Sequence, residues 1–289
     1  YNYPDYIYIS TGKNQKEKII NAIKSLNGAL RLSMSVQSMD QEVLENIRRS
    51  NISVDQMLAL APAIEEEKLG TTAEVILGLP GETYKSHIQT LRDLVKNNLN
   101  YVRPYTLMLL HGSEMNTPEQ REKWQFKTKF RILPRDFTTL INGKKVIETE
   151  EIIVGSDILT FEEYIELRTL SFSIFVTNIG IIYSSLLKFL RENDIEVFEL
   201  FFQMMKQIDS APSIIQKIFQ SVKTDMVDEL WDSPEDIQTH YQEPKEYEKL
   251  LSGEAARNVM QYHNALVRHS GMDELTESEK TLYESLPED

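Results

Sequence analysis

The chain has 289 residues, with 45 acidic against 31 basic side chains, 41% hydrophobic residues and no cysteine. This composition predicts a globular protein of one large or two ordinary domains and excludes collagen, long disorder and disulfide scaffolds. Without thiols, the chain cannot by itself ligate an iron–sulfur cluster, build a cysteine zinc site or use a cysteine nucleophile, whereas histidine and carboxylate metal sites remain open.

The net charge of −14 is unevenly distributed. Residues 1–190 carry 22 basic and 23 acidic side chains, whereas residues 191–289 carry 9 and 22. An acidic last third repels phosphate backbones and anionic lipid, so we expect neither nucleic acid nor a membrane as partner. The chain starts at Tyr1 without the basic and apolar segments of a signal peptide. These features predict a cytoplasmic protein that is a fragment or a processed product.

The first 110 residues alternate between short β-branched runs and amphipathic segments, a pattern typical of parallel βα units. Helices are predicted to begin at Asp40, at residue 53, and at Glu82 or Thr83, where capping side chains precede apolar residues with helical spacing. The predicted strands cover residues 6–9, 30–36, 72–77 and 101–110.

From His111 the pattern changes to a polar loop and then to two strand-like runs, residues 129–141 and 144–154. They are joined by Asn142-Gly143, which is the strongest short signal for a hairpin. From Thr160 onward the pattern is helical, with long runs over residues 161–190, 196–208 and 213–230. The sequence therefore predicts an α/β part over residues 1–155 and an acidic helical domain over residues 156–289.

Three segments lie where a parallel strand ends and a βα loop begins, which is the edge at which such folds place their sites. They cover residues 32–38, 74–83 and 105–113. In the first segment, Ser35 and Gln37 offer donors and acceptors that suit sugar hydroxyls. Gln37 has a structural alternative, in which it caps the helix that follows Asp40.

The second segment combines two glycines with two carboxylates. Gly78 and Gly81 permit close approach of the backbone around a Pro80 turn, and Glu74 and Glu82 provide acceptors. As alternatives, Glu74 lies outward in a surface ion pair, and Glu82 belongs to the N-terminus of the next helix.

These segments resemble part of a known enzyme barrel. In chain order they read Ser-Val-Gln-Ser-x-Asp-x-x-Val-Leu-x-x-Ile-x-Arg, then Glu-x-Ile-x-Gly-Leu-Pro-Gly-Glu-Thr, then a strand that ends in a Gly-Ser turn. This order resembles the fourth, fifth and sixth strands of a radical S-adenosylmethionine (SAM) enzyme, most closely the class with an upstream cobalamin-binding domain. The resemblance covers about residues 5–170 and implies a partial (β/α) barrel with a β-hairpin, followed by an all-α C-terminal domain.

The resemblance also implies roles for single residues. Gln37 and Glu74 would bond the SAM ribose, with Ser35 at the same strand end. Arg49 falls where the family often places a basic residue for the methionine carboxylate, which guanidinium geometry suits. Its alternative is an exposed helical arginine beside Arg48.

The turn that flanks the adenine would be shaped by Gly78 and Pro80, whereas no catalytic residue and no metal ligand can be assigned. In the intact family, a 4Fe–4S cluster cleaves SAM to a 5′-deoxyadenosyl radical, and cobalamin can serve methyl transfer or rearrangement. The resemblance leaves the substrate, a small molecule or a peptide, unknown.

Two motifs of the family are missing from this chain: the CxxxCxxC that holds the cluster and the Gly-Gly-Glu segment that binds the SAM amino group. We therefore expect the chain to be the C-terminal portion of a longer polypeptide. Its partner would be the missing N-terminal part or, failing that, a second copy of itself, since an open sheet edge needs a cover. Alone it is expected to be inactive and to bind no cofactor tightly. A naturally cluster-free relative is the alternative.

The sequence is also compatible with two rival functions. A non-catalytic binding or assembly module would keep the degenerate half-barrel as a scaffold and use the acidic helical part to dock a partner. A metal-independent barrel hydrolase has less support, because a Pro-Gly turn separates Glu74 from Glu82 and no Ser-His-Asp arrangement stands out.

Overall fold

A computed structural model describes residues 32–49, 71–96, 101–178, 184–208, 213–273 and 275–276, together with seven single positions before residue 30. Apart from Ile7, the strand predicted over residues 6–9 lies outside the described residues, and so does the helix predicted from residue 53.

Three strands form a parallel sheet in the order β1-β2-β3, as the alternating pattern predicts: β1 is Leu32–Gln37, β2 is Thr71–Leu77 and β3 is Tyr101–Thr106. Helix α1 (Gln41–Asn46) follows β1, and α2 (Tyr84–Lys96) follows β2. Asp40 caps α1 as predicted, because its Oδ1 accepts the N–H of Val43 at 3.1 Å.

The two faces of this sheet differ in polarity. Ala73, Val75 and Val102 are buried and pack with the apolar side of α2, which includes Leu91 and Leu94. Because side chains alternate along a strand, the neighbouring positions lie on the opposite face, which carries Ser35, Glu74 and Tyr105. The helices thus cover one face, and the other face is polar and partly open.

The sequence predicts a polar loop after β3, but the structure has two short helical segments there. A 3₁₀ turn covers Glu114–Asn116 and a short helix α3 covers Pro118–Lys123, capped by Thr117. The predicted hairpin follows, with β4 (Lys127–Thr139) antiparallel to β5 (Lys145–Gly155). Gly143 has φ +81° in the turn between them, a backbone conformation that glycine adopts without steric cost.

The rest of the described chain is helical, as predicted. In the run predicted over residues 161–190, the described helices are α4, which covers Phe161–Asn178, and α5, which begins at Ser184; residues 179–183 lie outside the described part. The helices are α4 (Phe161–Asn178), α5 (Ser184–Glu192), α6 (Val197–Lys206), α7 (Ser213–Asp228), α8 (Pro234–His240), α9 (Pro244–Ser252) and α10 (Val259–Leu266), followed by a π-helical turn, Val267–Gly271.

One apolar core connects the sheet with these helices. It includes Val75 and Val102 of the sheet, Leu91 of α2, and Phe172 and Phe219 of the later helices. None of the described helices has the length and apolar character needed to cross a bilayer. The fold is mixed α/β with a parallel sheet and a separate hairpin; the partial barrel and the boundary at residue 155 stay predictions.

Candidate functional site

Two of the predicted site residues meet on the open face of the sheet. Ser35 of β1 and Glu74 of β2 are register partners, and the Ser35 hydroxyl donates to Glu74 Oε2 at 2.8 Å. Ser35 is exposed and Glu74 is half-buried. Glu74 is therefore hydrogen-bonded within the sheet and still accessible from the open face, and its contact with a ribose stays a prediction.

Arg49 reaches the same place from the turn after α1. Its Nη2 donates to the backbone carbonyl of Ser35 at 2.8 Å, while its Nε is buried without a hydrogen-bond partner among the described residues. Burial lowers the pKa of Arg49, and the nearby Glu74 carboxylate acts in the opposite direction. Arg48, by contrast, pairs with Glu114 at the surface. The structure thus separates the two arginines that are adjacent in sequence.

Gln37 ends β1 in an unusual backbone conformation. Its φ is +66°, and the register between β1 and β2 shifts between Ser35 and Gln37. Such bulges redirect a side chain at the end of a strand. Gln37 is half-buried, and the capping of α1 falls to Asp40. The structural alternative for Gln37, in which it caps the helix after Asp40, is therefore not realised.

The turn after β2, residues 78–82, is called the site turn below. Gly78 and Gly81 have φ values of +91° and +80°, the left-handed region in which glycine carries no steric penalty. The side-chain amide of Asn46 donates to the carbonyl of Pro80 at 3.1 Å, which connects the site turn to α1. Pro80 and Gly78 are buried, so the turn is part of the packed structure.

Glu82 is the last residue of the site turn, and its buried side chain is hydrogen-bonded to the first residue of the turn. Its Oε2 accepts the N–H of Gly78 at 2.7 Å, and its Oε1 lies 2.9 Å from Nδ1 of His87. Of the two predicted helix starts, Thr83 caps the helix, because its side chain accepts the N–H of Ser86 at 3.1 Å, and Glu82 directly precedes it. The Glu82 side chain is fully buried.

His87 was not singled out from the sequence. It lies on the buried side of α2, four and seven residues before Leu91 and Leu94. A polar residue on an apolar helical stripe was the available signal, since such a residue needs a buried partner.

The loop after β3 is held by an arginine fork. Arg121 donates to both carboxylate oxygens of Glu151, at 2.8 and 2.6 Å, and also bonds Asn116. Burial alone would raise the pKa of Glu151, but Arg121, Thr128 and His111 outweigh it and lower that pKa. His111 itself is exposed.

The site residues are suited to binding. A carboxylate and a hydroxyl can hold a diol, and a half-buried guanidinium beside them can hold an anion. Among the described residues, no group of three or more His, Asp or Glu side chains is placed to hold a metal ion. The arrangement therefore favours recognition of a ligand that carries both hydroxyls and a negative charge.

Gly81→Ala is expected to destabilise the protein by about 2–3 kcal/mol. A side chain in the left-handed region costs about 1–2 kcal/mol, and the new methyl group would lie 2.5 Å from Nδ2 of Asn46. Displacing that amide removes its bond to Pro80, worth about 1 kcal/mol.

Gly112→Ala is the matched control for this change. Gly112 also has a left-handed φ, +77°, but no heavy atom lies within 4 Å of the added carbon. Urea unfolding of both variants compares the losses; equal losses would contradict a role for Asn46 in holding the site turn.

Comparison with known proteins supports the resemblance. No protein-family model matches the chain. Over 129 residues, 43% of the chain, it is 32% identical to the cobalamin-dependent radical SAM methyltransferase TokK of Streptomyces tokunonensis. Over 129 residues, again 43% of the chain, it is 30% identical to the 2-(S-pantetheinyl)-carbapenam-3-carboxylate methyltransferase of Streptantibioticus cattleyicolor. It is also 28% identical over 138 residues to an uncharacterised protein of Methanocaldococcus jannaschii.

The matched segment spans 19% of the length of each methyltransferase and 41% of the Methanocaldococcus protein. These similarities confirm the resemblance to cobalamin-dependent radical SAM enzymes that the three motifs predict.

Proposed function

We propose that this chain is the C-terminal part of a radical SAM methyltransferase and that the open face of its sheet binds SAM. In this proposal, Glu74 and Gln37 contact the ribose, with Ser35 beside them. Arg49 binds the methionine carboxylate, and Gly78 and Pro80 flank the adenine. The substrate stays unassigned, and so does the residue that would contact cobalamin.

The observation that carries the proposal is the meeting of Ser35, Glu74 and Arg49 on one open face. Ser35 and Glu74 are 39 residues apart in the sequence and are brought together by β1 and β2. Two relatives of the chain are named methyltransferases. The orphaned Nε of Arg49 fits the proposal, because a buried donor without a partner costs about 1–3 kcal/mol and an anionic ligand would satisfy it.

The residues of this chain do not fit an iron–sulfur cluster. With no cysteine anywhere in the sequence, the chain supplies no thiolate ligand. Under the proposal, the cluster belongs to polypeptide upstream of these residues, which also supplies the segment for the SAM amino group. What this chain contributes is binding and orientation of the nucleoside and the carboxylate.

Reading the coding sequence upstream of these residues is the first test. The proposal requires a CxxxCxxC motif in the same reading frame. An open reading frame that contains no such motif would contradict the enzyme assignment and leave the non-catalytic module as the better account.

In the complete polypeptide, Arg49→Ala and Glu74→Ala are each expected to weaken SAM binding by about tenfold or more, since hydrogen bonds to charged groups contribute about 1.5–3 kcal/mol. Gln37→Ala should weaken it less. Because Glu74 and Gln37 lie outside the packed core, these two variants should keep their stability within about 1 kcal/mol. Anaerobic titration calorimetry measures the affinity.

Arg48→Ala is the matched control for Arg49→Ala. Its guanidinium pairs with Glu114, and both side chains are largely exposed, so SAM affinity should not change. If Arg48→Ala and Arg49→Ala behaved alike, the proposed carboxylate site would be wrong.

A further inference from the structure

Behind the site turn lies a pair of side chains that no solvent reaches. The Glu82 and His87 side chains are both 0% exposed, and they face each other at 2.9 Å between Oε1 and Nδ1. The second carboxylate oxygen of Glu82 accepts the N–H of Gly78. The pair therefore connects helix α2 with the first residue of the turn.

Burial of such a pair needs a reason. Placing a carboxylate in the interior is costly unless its oxygens are hydrogen-bonded, and apolar side chains of similar size would pack there at lower cost. The neighbouring positions on the same stripe of α2 are Leu91 and Leu94, so an apolar residue at position 87 would continue the pattern. What the pair adds is an acceptor for the N–H of Gly78, which the left-handed turn directs inward.

We infer that His87 is a positioning residue: it holds the Glu82 carboxylate, and through it the backbone of Gly78 and the shape of the site turn. Both side chains are closed off from the open face of the sheet, so neither touches a ligand there. The inference rests on the proposed function only in assigning the site turn to the adenine of SAM.

The hydrogen-bond pattern sets the protonation of the ring. With Glu82 as a carboxylate, Nδ1 of His87 carries the hydrogen and donates it to Oε1, while Nε2 has no partner among the described residues. The Nδ1–H tautomer is thus the one that positions Glu82. Without this donor, the carboxylate has one partner fewer and is freer to turn away from Gly78.

The test compares three variants of this chain by amide hydrogen exchange. His87→Leu removes the donor, His87→Asn keeps an N–H at a position similar to Nδ1, and Leu94→Ala weakens the same helix two turns away from His87. The readout is the exchange rate of the Gly78 amide relative to that of Val75 inside β2, since a general loss of stability accelerates both.

For His87→Leu we expect this ratio to rise by about tenfold, the equivalent of one hydrogen bond. His87→Asn should bring the ratio back to within about threefold of the original, and Leu94→Ala should leave it unchanged. An equal acceleration of Gly78 and Val75 in His87→Leu would overturn the positioning role.

A measurement on the unmodified protein covers the case in which His87→Leu does not fold. Nitrogen-15 chemical shifts of the imidazole distinguish the two tautomers. The Nδ1–H form supports the inference, and a ring in the Nε2–H form alone would overturn it.

SAM titration of the complete polypeptide separates this inference from the proposed function. Weaker binding in both Arg49→Ala and His87→Leu supports both. If affinity falls for Arg49→Ala only, the site function of His87 is wrong and the proposed function stands. If affinity changes for neither while the exchange ratio rises, the turn is positioned as inferred and the SAM assignment fails.

Discussion

Replacing Glu229 with alanine is expected to destabilise the protein by about 3–5 kcal/mol, because it leaves a buried guanidinium without its partner. Nη1 of Arg168 lies 2.7 Å from Oε1 of Glu229, and the two side chains are only 9% and 17% exposed. Arg131 of the hairpin approaches the same oxygen at 3.4 Å. Glu229 thus joins helix α4 to the hairpin, and its removal affects both.

Asp232→Ala is the matched control for this change. Asp232 pairs with Lys129, but the two side chains are 82% and 37% exposed, so the loss should stay below about 1 kcal/mol. Urea unfolding with unchanged slopes compares the two variants. Glu229→Gln, which keeps an acceptor, is expected to lie between them. A Glu229→Ala loss as small as that of Asp232→Ala would contradict the role assigned to the buried pair.

The elements that the sequence predicts well are those with local signals. Asn142-Gly143 specifies the hairpin within two residues, because a tight turn requires a left-handed backbone. Asp40 likewise caps α1 through a bond to an amide three residues away. Short β-branched runs between amphipathic segments were enough for β1 and β2, whose ends agree with the prediction within two residues.

The sequence does not predict helix α3, because this helix lacks such a signal. Helix α3 has a capping Thr117 and Pro118 at its start, but none of its residues is buried, so no apolar period marks it.

The site shows the same limit. Strand-end motifs predicted that Gln37 and Glu74 lie on neighbouring strands, but the contact of Glu74 with Ser35 depends on a register between distant segments. A carboxylate at a helix start is expected to accept N–H groups of that helix, whereas Glu82 accepts the N–H of Gly78, four residues earlier in the chain. Such contacts are tertiary, and only the folded chain defines them.

A shared core bears on how the chain unfolds. Phe172 of α4 is fully buried, and the centroid of its ring lies 5.1 Å from the ring centroid of Phe219, in an edge-to-face arrangement. The same core contains Val75 and Val102 of the sheet. If the sheet and the helices unfold together through this core, a substitution in the core after residue 155 should also lower the stability of the sheet.

Phe172→Ala is therefore expected to lower the free energy of unfolding by about 3–5 kcal/mol, the usual cost of removing a buried phenylalanine. The chain has two tryptophans, with Trp124 beside Gly81 of the site turn and Trp231 after α7. Because the backbone of Trp231 is hydrogen-bonded to Phe130 of the hairpin, Trp124 in a Trp231→Phe background reports the sheet side, and far-ultraviolet circular dichroism follows the helices; both unfolding midpoints should fall together. Glu162→Ala, at an exposed position of the same helix, should move neither. A midpoint that falls for circular dichroism alone, while that of Trp124 is unchanged, would mean that residues 1–155 unfold as an independent domain.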